Sequence, residues 1–180
     1  MSELDLRGSP FGSGYPHDNI TLWLELYYLV IVFGASRYIA DVLKEEGDED
    51  KDLSMFSVFK NFERSEASKR LILVASICRN NISTHPDPEI KKASHSTLVG
   101  ELFPLATFKK SKPLSFQESC NKILHANDIN FDLSSARHIR SGYLLTKVYL
   151  YGHKEARGKE IEWKATINVS KFIKAAWVCI

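Results

Sequence analysis

The sequence predicts a mainly α fold: a helical bundle with an appended C-terminal β-hairpin and a closing helix. Three observations carry that expectation. Residues 19–44 and 71–78 are apolar on nearly every side of a helical projection. Ser115 and Glu118 have the spacing of a helix-opening capping box. From about residue 143 the pattern turns to alternating stretches of Tyr, Val, Ile, Trp and Thr, with Gly152 and Gly158 flanking a turn.

The elements follow in order. Residues 1–17 read as a flexible Gly/Ser/Pro-rich arm with no apolar segment behind a basic start, which is not a signal peptide. Residues 18–180 form a single domain. Asp18 or Asn19 caps a helix running to about Lys44, which other helices or a partner chain should enclose. Its longest charge-free run, Leu26 to Ser36, is 11 residues long. A membrane span wants roughly 20 apolar residues, so a buried core helix is expected. The acidic "KEEGDEDKD" is a solvated connection.

A short helix then presents Phe56, Phe59 and Phe62, and a second long helix buries its centre, Leu71 to Cys78, between Arg70 and Arg79. Asp87 caps a further helix with Pro88 at its first position, continuing through "TLVGELF". The capping box opens a helix from Phe116 to about Ala126 and completes a bundle over 18–126. The hairpin spans 143–169, and a last helix, capped by Ser170, spans 170–180.

Composition narrows the function classes. A 44% apolar and 26% charged chain of 180 residues is globular. A net charge of +2 gives no whole-molecule field for nucleic acid, so any basic site is local. Cys78, Cys120 and Cys179 form no CxxC pair and no even set, which argues for a reducing, cytoplasmic setting without disulfides or zinc. No phosphate-binding Gly loop, HExxH or nucleophile elbow is present, and no cofactor or metal is expected.

The segment "ESCNKILHAND" carries the most chemistry. At about 100° per residue, Phe116, Cys120, Ile123 and Leu124 share one face of its helix, while Glu118, Asn121 and His125 share the other. Asn121 and His125 are one turn apart and in reach of each other. Two readings of this triplet stand: a solvated polar face, or an imidazole oriented by an amide for acid–base work. An intrahelical Cys120/His125 pair has poor geometry, since about 140° separates them.

"CNKILH" resembles the signature helix of HEPN domains, helical modules of toxin and antiviral defence proteins. Their motif is an Arg, commonly followed by Asn, with four to six residues before a His. Asn121, Lys122, Ile123 and His125 match it, and Cys120 stands where the Arg belongs. The resemblance implies a metal-independent ribonuclease acting as a dimer, with His125 as acid or base and Asn121 as its orienter. Without a cation at 120, this helix alone is a weakened or inactive site.

Arg79 is the candidate to supply the missing charge. "RNNISTH" offers an alternative motif through Arg79, Asn80 and His85. The other reading of Arg79 is a cation near a helix C-terminus, and of His85 an exposed loop residue. Candidate RNA contacts are Lys122, then Lys109, Lys110 and Lys112 ahead of the helix, and Arg137 and Arg140 after it. Tyr149, Tyr151 and Trp163 are available for stacking. The second functional reading is a catalytically inactive scaffold module that binds RNA or protein, with a second copy or another protein of the same system as partner.

Overall fold

The computed structural model describes residues 19–45, 55–104, 110–134, 143–156 and 158–178, with the side chains at 42–45, 55–61, 104, 156 and 159 excepted. Five helices and five strands are seen among them: α1 (Asn19–Glu45), α2 (Met55–Thr84), α3 (Pro88–Ser96), β1 (Leu98–Pro104), β2 (Lys112–Ser115), α4 (Phe116–Leu124), β3 (Asp128–Leu133), β4 (Leu144–Ala156), β5 (Lys159–Asn168) and α5 (Val169–Trp177). The strands form one antiparallel sheet in the order β2-β1-β5-β4-β3.

The mainly α expectation is therefore corrected to an α+β fold. The expected hairpin segment supplies β4 and β5, but these are two strands of five. "TLVGELF", expected to continue the helix from Asp87, instead leaves it. α3 stops at Ser96, and Thr97 takes extended angles. β1 then lies between β2 and β5, with Gly100 opposite Ile167 and Leu102 opposite Ala165. Those partners lie more than sixty residues downstream, so no local period announces them. Gly100 is required there, because a Cβ would run into the Thr166 carbonyl of the neighbouring strand.

Local signals fix several helix starts. Asp87 Oδ1 accepts from Glu89 N at 2.9 Å, with Pro88 opening α3. Ser115 Oγ accepts from Glu118 N at 3.3 Å, and α4 begins at Phe116. α5 is capped by Asn168 rather than Ser170. The Asn168 carboxamide oxygen accepts from Lys171 N at 3.0 Å. The short and long helices expected over 53–84 are one helix, α2, on which Phe62 is exposed.

Alternation along the strands sends one face of the sheet to the core. Trp163, Ala165 and Ile167 of β5 are buried, with Val148 and Leu150 of β4 beside them. The helices cover this face with Leu22, Leu26 and Leu29 of α1, Leu71, Val74 and Cys78 of α2, Phe116, Cys120 and Ile123 of α4, and Phe172 of α5. The Phe116 and Phe172 rings meet at 5.2 Å. Ser36 Oγ accepts from Leu144 N at 2.8 Å and fixes α1 against β4.

One charged cluster is built into the α1–α2 seam. Arg70 reaches across to Glu25, bonds Glu66 at 2.9 Å, and lies 4.1 Å from the centre of the Tyr28 ring. Burial alone would pull the Arg70 guanidinium down; the hydrogen bonds and charges of Glu25 and Glu66 outweigh it and hold the group above its ordinary value.

Candidate functional site

The motif helix sits where its amphipathic pattern requires. Phe116, Cys120 and Ile123 face the core, and Cys120 is wholly buried. Asn121 is half-buried and His125 is exposed at the C-cap. The backbone N–H of His125 donates to the Asn121 carbonyl at 3.1 Å. Lys122 does not project freely into solvent. Its ammonium lies 4.2 Å from the Trp163 ring centre and 3.6 Å from the Glu118 carboxylate. It clamps α4 onto β5.

The other sequence candidates lie on several elements. Arg79 is exposed on α2, one position beyond the buried Cys78. Neither its guanidinium nor the His125 ring shows a side-chain partner among the described residues. Asn80, also on α2, has a backbone carbonyl that accepts from Ser83 Oγ and Thr84 Oγ1. His85 follows α2, and its Nδ1 accepts from Asp87 N at 3.0 Å. Lys110 and Lys112 are exposed at the β2 edge of the sheet, where lysines also discourage strand addition. Lys109, Arg137 and Arg140 lie outside the described residues. No group of three or more His, Cys, Asp or Glu side chains is placed to hold a metal among the described residues.

The sheet face away from the helices carries Tyr149 and Tyr151, with Lys164 Nζ at 4.8 and 5.5 Å from their ring centres. By register, Glu101, Asp128, Glu155, Glu160 and Glu162 share that face against Lys147 and Lys164. That charge balance opposes a polyphosphate strand. Trp163 points the other way, into the core, so it does not join the two tyrosines.

The outer face of α1, which the sequence left to other helices or a partner chain, is exposed. Trp23 is 49% exposed, Tyr27 61% and Val30 53%, with Ile20 and Leu24 beside them. Ile31, Gly34 and Tyr38 continue the same arc of about 120°, which carries no charged residue from Ile20 to Tyr38. Trp177 of α5 extends it: its ring stacks on Trp23 at 6.1 Å and 18° and is itself 62% exposed. The signal was present as apolarity on every side of the helix. That pattern predicts enclosure by other helices or a partner chain; among the described residues the buried side is that of Leu22, Leu26 and Leu29.

α1 is also long and apolar enough to cross a membrane by length and composition. In this fold its inner side packs on α2 and β4 and holds the Glu25–Arg70 pair, an arrangement that a lipid-surrounded helix would have to dismantle.

Fold and surface together define a two-layer α+β domain that presents an exposed aromatic helix face. No protein-family model matches the chain, and no curated protein or solved structure matches it either.

Proposed function

We propose that this chain is a non-catalytic protein-binding module that docks through the outer face of α1 and the adjoining Trp177. One observation carries the reading: an uncharged aromatic and aliphatic stripe on a helix whose opposite side is already packed. A contiguous exposed apolar area of this kind marks an interaction surface on a soluble domain. Exposed Trp and Tyr in its middle are the residue types that anchor interfaces.

Photo-cross-linking tests the reading in cells that express the chain. A benzophenone amino acid at Tyr27 should give one discrete protein adduct, lost when Leu24→Asp is added. The same probe at Thr166 on the opposite side of the sheet should give none. An equal, diffuse ladder from both positions, or no adduct from Tyr27, overturns the proposal.

A further inference from the structure

We infer that the occupant of the α1 face is α1 of a second copy of this chain, packed antiparallel; this rests on the reading of that face as a docking surface. The stripe has the spacing of a helix–helix seam. Ile20, Trp23, Tyr27, Val30 and Gly34 follow at intervals of three, four, three and four residues, which keeps them on one line facing a partner helix.

The stripe is complementary to its own reverse. A two-fold axis midway between Tyr27 and Val30 sets Trp23 against Gly34 of the second copy and Tyr27 against Val30, large against small in each layer. It sets Ile20 against Arg37, whose stem can cover the aliphatic side chain while its guanidinium stays with Asp41 at 3.8 Å and the Tyr143 ring at 5.8 Å. A Cβ built on Gly34 meets nothing within 4 Å, so the space for an incoming indole is open. A parallel pair would instead oppose Trp23 to Trp23 and leave a gap at Gly34.

The area is sufficient. Trp23, Tyr27 and Trp177 are about half exposed or more, and with Ile20, Leu24, Val30 and Ile31 they offer roughly the 800 Å² per partner of a standard interface. The arc itself carries no charge and Arg37 at its border faces Ile20, so a two-fold brings no like charges together there.

Register-specific cross-linking tests the pairing, in a Cys179→Ser background with Cys78 and Cys120 buried. Tyr27→Cys and Val30→Cys chains are mixed and mildly oxidised. Antiparallel pairing predicts the mixed 27–30 disulfide in excess over both homodisulfides. Gly34→Leu improves helix propensity and its Cβ meets nothing within 4 Å in the single chain, yet it should weaken self-association roughly tenfold or more by blocking Trp23.

Homodisulfides in excess, or association unchanged by Gly34→Leu, would overturn the inference. A wild-type chain that stays monomeric, while Tyr27 still cross-links to one other protein in cells, sinks self-pairing and leaves the module reading standing. Flotation with anionic phosphatidylserine vesicles, without any protein adduct from Tyr27, sinks both.

Discussion

Trp23 and Trp177 stack at 6.1 Å with ring planes 18° apart, joining the first helix to the last while both rings keep about half or more of their surface in solvent. The stack holds α5 against α1 and widens the apolar face. Trp177→Ala should lower the stability of the dilute monomer by about 0.5–1.5 kcal/mol, the worth of an aromatic pair beyond area burial. Urea unfolding followed by circular dichroism measures it, and self-association should weaken in the same variant.

Arg70 and Glu25 lock the inner side of α1 to α2. Arg70→Met keeps the stem but strands the Glu25 carboxylate in the seam, and should cost about 3–5 kcal/mol at neutral pH. Because the guanidinium is held above its ordinary value by the Glu25 and Glu66 carboxylates, its stabilising share is complete at neutral pH and, on the alkaline side, fades only when strongly alkaline solution deprotonates it. Combining Glu25→Gln with Arg70→Met should cost less than the sum of the two single changes, which a double-mutant cycle by chemical unfolding reads directly.

Position 120 separates the motif from its chemistry. Cys120→Arg, which would complete the motif that the sequence resembles, should not create a ribonuclease. It places a charge in the wholly buried core face of α4 and should cost several kcal/mol, read as a lowered or lost thermal transition. His125→Ala removes an exposed cap side chain and should stay within about 0.5 kcal/mol of wild type. RNA cleavage by the wild-type chain in EDTA that vanishes in a folded His125→Ala variant would reinstate the catalytic reading.

Two glycines should respond differently to alanine. At Gly100 the new Cβ meets the Thr166 backbone and lies 3.1 Å from the Ile167 Cα, so strands β1 and β5 must separate. A loss of about 3 kcal/mol or more is expected. Gly158 has φ +70 and open space around it, so only the left-handed backbone resists, at about 1–2 kcal/mol. Thermal unfolding of the two variants gives the order.

Much of the helix punctuation was legible in the sequence because it is local. Asp87, Pro88 and Ser115 act within three residues of themselves, and the amphipathic stripe of α4 is set by its own spacing. The β4–β5 hairpin was legible from alternation and from Gly158 at its turn, whereas Gly152, expected to flank that turn, lies within β4 opposite Trp163. β1 was not, because "TLVGELF" owes its extended form to strands on both sides, one of them more than sixty residues on. β2 is four residues long and β3 six, too short for a period to stand out. The candidate site was legible only as residue types. Spacing put Asn121 and His125 on one face, but nothing local reported that Lys122 lies over Trp163 or which side of α1 is exposed.

Sedimentation equilibrium of the full chain between about 1 and 100 µM tests the central claim most directly, since α1 pairing is a mass-action property. The prediction is a species of twice the 20.5 kDa chain mass that gains population with concentration and is lost in Tyr27→Glu. A single species at the chain mass across the whole range, or a dimer indifferent to Tyr27→Glu, would contradict it.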